Sequence, residues 1–467
     1  MDDQQPHITT HLTPGPVPHE VAPPTPQQKQ SARGILAAIT IDVTPLKTSR
    51  DFRLLFIGQA VSFFGSMMTY VVLPWQMYQL TKSSFAVGML GAVEFVPILL
   101  MSCVGGALAD YVDRRKLLRF TEVGLACITG ILILNSLLRQ PKVWVLFVCA
   151  ALFAALNGLQ RPSREAITPR IVAPEEMPAV AALNSLRFSA GAIAGPALAG
   201  VLAAAFGASL TYSIDLLTFI VSLVTLWMMR AAPPPIDAER PSLRSISEGL
   251  RYAKSRPELL GTYLVDINAM FFGMPMALFP AIAESFGNAS VGLLYAMPAV
   301  GSLIATLTSG WTNRIHKHGL AVIIAATVWG IAIIGFGLAN SLWLALVCLA
   351  LAGGADMVSG LFRMTIWNQT IPDHLRGRLA GIEMVSYTTG PMLGNAEAGI
   401  VASLFSIRTS VISGGILCVL GSGLLAVLLP SLLHYDGRAG LARKESEEEA
   451  RARAATLSTD EVETLTR

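Results

Sequence analysis

The junction Gly106-Ala-Leu-Ala-Asp110-Tyr-Val-Asp-Arg114-Arg115-Lys116 separates two long apolar runs, Phe85–Ala109 and Leu117–Leu138. Each run has the roughly twenty mainly apolar residues needed to cross a bilayer core about 30 Å thick. The basic cluster between them reads as a short loop kept on the cytoplasmic side, because loop Lys and Arg set membrane orientation. The same ruler, moved outward, finds ten more spans. They are Leu54–Leu80, Val143–Leu159, Ala179–Phe206, Leu210–Met229, Leu259–Ala283, Val291–Trp311, Leu320–Ala339, Leu342–Trp367, Leu379–Phe405 and Val411–Leu433. The sequence therefore predicts an all-α integral membrane protein of twelve transmembrane helices.

Composition agrees. Of 467 residues, 53% are hydrophobic and 14% charged, against roughly a quarter charged in a soluble domain. The net charge of +3 is spread over short loops, so no basic patch suited to nucleic acid is expected. The five cysteines, Cys103, Cys127, Cys149, Cys348 and Cys418, all lie inside apolar runs. They show no zinc-type spacing and read as small buried hydrophobes, so no metal site is expected. Walker A, nucleophile-elbow and His/Cys metal motifs are missing from the sequence, which argues against an enzyme, an ATP-driven pump or a bound cofactor.

Loops after even-numbered helices hold seventeen Lys and Arg, from Arg114 to Arg378, whereas loops after odd-numbered helices hold only Lys82, Arg139, Lys142 and Arg408. This asymmetry places both termini in the cytoplasm, in a multi-pass protein of the inner (plasma) membrane. Residues 1–45, rich in proline, and 436–467, rich in charge, are expected to be disordered cytoplasmic tails. Between the bundles at 46–230 and 258–435, residues 231–257 form a polar linker. Ala231-Ala-Pro-Pro-Pro ends the sixth helix, and Leu243, Ile246, Leu250 and Ala253 then recur on one side of a short amphipathic helix.

The two parts echo each other. Gly158-Leu-Gln-Arg161 closes the fourth span and Gly360-Leu-Phe-Arg363 the tenth, while Gly195-Pro-Ala-Leu-Ala-Gly200 and Gly390-Pro-Met-Leu-Gly-Asn395 sit in the fifth and eleventh. Two matched landmarks in the same order indicate a duplicated six-helix unit, with two pseudo-symmetric bundles that can open alternately to either side.

Three stretches carry a family resemblance. Asp42 to Gly65, the junction Gly106 to Lys116, and Gly191-Ala-Ile-Ala-Gly195-Pro196-Ala-Leu-Ala-Gly200 together resemble the major facilitator superfamily, and within it the branch of siderophore exporters. The junction is similar to the superfamily's signature loop between helices two and three. It departs at Tyr111, where a basic residue is common, and at Asp113, where glycine is common. The resemblance implies that Gly106 brings helices two and eleven together, with Asp110 and Arg114 acting across the cytoplasmic face and Arg115 beside them. It further implies that Gly191, Gly195, Pro196 and Gly200 form an antiport-type motif. A small-residue packing role for those four is the alternative. The implied function is export of a siderophore or hydrophobic small molecule in exchange for protons, by a monomer in the lipid bilayer. A proton-coupled importer and a non-transporting sensor on the same fold are the alternatives.

Charges within spans are functional candidates by default, because burying one in lipid is costly. Glu94, Arg187, Asp266, Asn268, Asp356 and Glu397 are the candidates for substrate or proton contact. The helix map implied by the resemblance puts Asp266 and Asp356 on the cavity wall, with an ion pair to Arg187 or Arg363 as the structural alternative. Phe271-Phe-Gly-Met-Pro-Met-Ala-Leu-Phe-Pro280 predicts a broken seventh helix.

Overall fold

The computed structural model describes residues 42–230, 251–372, 375–447 and 449; side chains at 107, 109–111, 376–378 and 380–382 are outside the description. All long elements are helices. They are α1 (Arg50–Thr81), α2 (Ser84–Tyr111), α3 (Arg114–Leu137), α4 (Val143–Ile171), α5 (Met177–Phe206) and α6 (Ala208–Met228). After the linker come α7 in two pieces (Pro257–Phe272 and Phe279–Phe286), α8 (Ser290–Leu307), α9 (His318–Leu338), α10 (Leu342–Thr370), α11 (Arg376–Leu404) and α12 (Ile407–Leu428).

Local chemistry sets several of these starts. The side chains of Ser49, Ser83, Asp113, Ser341 and Ser406 cap α1, α2, α3, α10 and α12, each accepting from a free backbone N–H of the first turn. Asp113, which departs from the family pattern, is thus the cap of α3, accepting from Arg115 N at 2.9 Å. Gly207, at φ +81°, makes the turn from α5 to α6.

Among the described residues, eleven helices are long and apolar enough to cross a membrane. The remaining long helix, α11, carries Glu383, Asn395 and Glu397 and falls short of that apolarity. Polarity is inverted relative to a soluble protein. Trp227 is 69% exposed and Val427 77%, while Asp215 is fully buried. A surface of exposed large apolar side chains around a polar interior fits lipid as solvent.

Helix pairing repeats. The contacts α1–α5, α1–α6, α2–α4, α3–α4 and α3–α6 recur as α7–α11, α7–α12, α8–α10, α9–α10 and α9–α12. The first six helices meet the second six mainly through α2–α11 and α5–α8. The close approaches fall at glycines. A Cβ on Gly353 of α10 would collide with the Pro298 backbone of α8, its carbonyl carbon 2.5 Å away. Gly353→Val is therefore expected to force those helices apart and destabilise the protein by about 1–3 kcal/mol. Thermal unfolding in detergent would register this as a drop of several degrees, and an unchanged midpoint would refute the tight seam.

The chain departs from expectation at three places. Helix α4 continues twelve residues past Leu159, to Ile171, with Pro162 and Pro169 inside it. Each proline removes only one backbone bond within an already packed rod. Arg161 and Arg164 are consequently helical residues and not loop residues. At the start, Asp42 is already described, and Thr44–Thr48 forms a short helix with Pro45 buried, inside the segment expected as tail. At the end, residues 437–447 are helical, not a free charged tail. That helix is docked by ion pairs from Glu447 to Arg256 and from Arg443 to Glu258 (3.6 Å). Burial opposes the Arg256 charge, but the bond to Glu447 outweighs it and raises the guanidinium pKa. Finally, most of the linker's amphipathic segment, 231–250, lies outside the described residues; 251–255 are helical, with Ala253 buried.

The break in α7 is as the sequence predicts, and three of its freed backbone groups find partners. Trp329 Nε1 donates to Gly273 O (3.1 Å), Tyr295 OH to Met276 O (2.9 Å), and Ala277 N donates to Asn395 Oδ1 (3.0 Å). Non-helical backbone at membrane depth is tolerated on those terms.

Candidate functional site

A cavity of about 360 Å³ lies between α1, α2, α3, α4 and α6 on one side and the α7 break, α8 and α11 on the other. At the end of the fold where α1 meets α2, it is sealed. There Gly200 of α5 meets Gly292 of α8, their Cβ-to-Cα approach being 2.6 Å, and Gly88 of α2 meets Gly399 of α11 at 2.9 Å. Lys82 and Glu284 form an ion pair across the same end, where Tyr78 OH also donates to Glu284 (3.3 Å). At the opposite, basic end a Cβ on Gly106 or Gly310 would meet nothing within 4 Å, and Arg161 of α4 lies over the Tyr387 ring of α11 at 4.9 Å.

Of the sequence-chosen residues, Glu94 is the acid that lines this cavity. It sits on α2 within electrostatic range of Tyr70 and Tyr295, above the α7 break at Met276 and beside Asn395. Phe63, Met67, Phe153 and Met392 supply apolar wall. A carboxylate in such a setting is suited to bind a proton or a hydrogen-bond donor, since no basic side chain is hydrogen-bonded or ion-paired to it in the structure.

The acids favoured by the helix map are placed elsewhere. Asp266 forms a buried ion pair with Arg363 and accepts from Ser386 Oγ (3.2 Å). Asp356 is 41% exposed and lies 3.7 Å from the same guanidinium. This is the structural alternative named from the sequence, with Arg363 and not Arg187 as partner. Asn268 faces α12, donating to Cys418 O (3.0 Å) and Ser422 Oγ (3.3 Å). Glu397 is half-buried on α11 and lines none of the three cavities described. Arg187 donates to Gln59 Oε1 at 2.6 Å and borders a neighbouring cleft.

Two groups on the cavity wall were missed in the sequence. Glu122 of α3 is buried, accepts from Ser62 Oγ (3.4 Å), and lines the cavity with Arg164 of α4. Glu122 falls inside the span Leu117–Leu138 but is not singled out there, and Arg164 lies past Leu159, where the fourth span is expected to end. Their signal is periodicity. Ser62 and Thr69 on α1 and Ser222 and Thr225 on α6 repeat at helical spacing as a buried hydroxyl seam, which only a polar interior would use. Asp215 sits behind it, bonded by Thr69 and Thr218.

The signature residues divide. Arg114 is buried and donates to Ala166 O of α4 at 2.8 Å, while Arg115 Nε is buried without a hydrogen-bond partner. The Asp110 side chain lies outside the described residues. Gly106 is not at the α2–α11 contact, which instead forms at Gly88 and Gly91 near the sealed end. A Cβ on Gly106 would meet nothing within 4 Å. In α5, Gly191 and Gly195 accommodate Phe63 and Met67 of α1, whereas Pro196 and Gly200 meet Gly292 of α8. These four residues therefore pack two seams at once. In α11, Gly390 and Asn395 do likewise against Met270 of α7 and Gly88 of α2.

Among the described residues no three His, Cys, Asp or Glu side chains cluster as a metal site.

Comparison with known proteins gives consistent matches. The family described as transmembrane secretion effector matches residues 40–451. The chain is 28% identical over 404 residues to the Enterobactin exporter EntS of Citrobacter koseri, covering 85% of this chain and 95% of that protein. The Enterobactin exporter EntS of Escherichia coli K12 matches to the same extent. In fold, the chain is similar to a POT family transporter in complex with 5-aminolevulinic acid (TM-score 0.67, 12% identity, covering 82% of this chain and 97% of that one). It is also similar to a bacterial homolog of the human lysosomal transporter Spinster in an inward-facing, unoccupied conformation (TM-score 0.64, 14% identity, 86% and 99% covered).

Proposed function

The chain belongs to the transmembrane secretion effector family of major facilitator transporters, and we propose that it is a proton-coupled exporter of a siderophore or another hydrophobic small molecule. Its relatives are transporters and not enzymes. In this reading the molecule is two six-helix bundles, supported by the repeated helix pairings. The basic end faces the cytoplasm by the positive-inside rule, so the sealed end faces outward and the cavity stands ready to load from inside.

The observation that carries the proposal is the cavity itself: sealed at one end by glycine seams and the Lys82–Glu284 pair, and holding Glu94 beside two tyrosines. Alternating access needs a gate at each end and a group that responds to both cargo and proton. Glu94 answers the second need, since protonation removes the charge that would bind a donor or cation. The Lys82–Glu284 pair is half exposed and is worth at most about 1 kcal/mol, weak enough to open in each cycle. Siderophore export is what the relatives' names suggest; the Met and aromatic wall suits a range of amphiphiles equally.

Purified chain in liposomes with an imposed pH gradient tests the proposal, using a metal-free catecholate siderophore and a hydrophobic dye as cargo. Outward-directed movement that rises with the gradient and collapses with a protonophore is expected. Movement indifferent to the gradient would remove proton exchange, and accumulation in the opposite direction would remove export.

A further inference from the structure

A second cleft, of about 340 Å³, lies between α1, α4 and α5 and shares Leu55, Gln59 and Arg164 with the central cavity. Arg187 of α5 borders it. One Nη donates to Gln59 Oε1, while Nε is buried without a hydrogen-bond partner. Arg164, also positive, borders the same cleft. The carboxylates nearby are otherwise engaged: Glu165 on the cleft rim pairs with Arg161 (3.1 Å), and Glu122 accepts from Ser62. Two guanidinium groups thus border the same cleft, and among the described residues no carboxylate pairs with Arg187. A cation so placed within a membrane protein is costly unless something negative meets it.

The walls say what kind of anion fits. The Phe63 ring, on the wall of the central cavity, lies 6.0 Å from the Arg187 guanidinium, and Phe52 and Phe56 line the cleft itself. Asn184 and Thr168 are additional polar groups there. Arginine beside aromatic surface matches a planar anion, because the guanidinium fork takes a carboxylate or phenolate edge-on while the ring packs on phenylalanine. A lipid headgroup fits less well. Arg187 is ten residues into α5, about 15 Å along its axis, whereas headgroups sit at the membrane surface.

We propose that this cleft binds an anionic aromatic group of the transported molecule, a phenolate or aromatic carboxylate, with Arg187 as its ligand and Arg164 passing it to the central cavity. The proposal rests on the exporter reading, but its test is binding and not flux. Full-length protein in phosphatidylcholine nanodiscs is titrated calorimetrically with salicylate and, as the neutral analogue, salicylamide. Salicylate is expected to bind, at least about tenfold more weakly to Arg187→Gln, with Arg187→Lys intermediate because it keeps charge but loses the fork. Ala181→Phe, which fills the cleft and leaves the arginine, should weaken binding similarly. The melting temperature of Arg187→Gln should equal or exceed wild type, since an uncompensated cation is removed; a purely structural arginine would give a drop.

Equal salicylate binding by wild type and Arg187→Gln would overturn the assignment, as would no binding by wild type or equal affinity for salicylamide. Displacement of salicylate when phosphatidylglycerol is added to the nanodiscs would also overturn it, by assigning the cleft to lipid. Intact binding in protein that moves nothing in liposomes would count against the exporter reading and leave this site standing.

Discussion

Glu94→Gln should reduce gradient-driven movement of cargo to that of protein-free liposomes while leaving the fold intact. The substitution keeps size and hydrogen bonding but can neither release a proton nor carry a charge. Glu94 lines the cavity beside Tyr70 and Tyr295, and no ion pair or hydrogen bond holds it in a structural role. Removing a carboxylate from such a place loses no partner and lifts a desolvation cost, so thermal stability should stay level or rise. Counterflow, in which labelled cargo exchanges for unlabelled cargo without a gradient, should survive better than uphill movement. Wild-type uphill transport by Glu94→Gln would move the proton site elsewhere, with Glu122 the next acid on the same wall.

That Glu94 lines the cavity while Asp266 pairs with Arg363 marks where sequence reading stops. Eleven apolar spans and the α7 break were legible, because each depends on local composition: about twenty apolar residues, and a Pro beside a Gly. Which face a residue presents was not. Asp266 and Asn268 lie two positions apart on α7, yet one meets Arg363 of α10 and the other turns to Cys418 of α12. The helix's azimuth decides this, and packing of distant helices sets the azimuth. Glu122 and Arg164 are a different case. Arg164 counts among the loop residues in the sequence, though α4 runs on to Ile171 and carries it to the cavity wall, and Glu122 lies inside the third span without being singled out. The glycine motif of α5 was legible as a motif but not as a device. Only its neighbours show that Gly191 and Gly195 serve α1 while Gly200 serves the opposing α8.

Arg363→Ala should be the most destabilising single change among the polar residues of the second six helices. Arg363 is 11% exposed and joins α10 to Asp266 of α7, itself 6% exposed, with Asp356 at 3.7 Å on its own helix. Loss of the arginine strands a buried carboxylate, which typically costs about 3–5 kcal/mol. In detergent the midpoint of thermal unfolding should fall by many degrees, or the protein should fail to accumulate. Because the penalty comes from the stranded charge more than from the lost attraction, removing both charges should recover most of it. Asp266→Asn with Arg363→Gln is therefore expected to melt near wild type, and Asp266→Asn alone should cost less than Arg363→Ala, since Asp356 remains for the arginine. Transport by the double variant then separates two roles. If it still moves cargo along the gradient, the pair is a strut that holds α7 against α10 beside the broken segment. If it folds yet has lost coupling, the arginine exchanges between Asp266 and Asp356 during the cycle, and the second six helices take part in proton handling alongside Glu94.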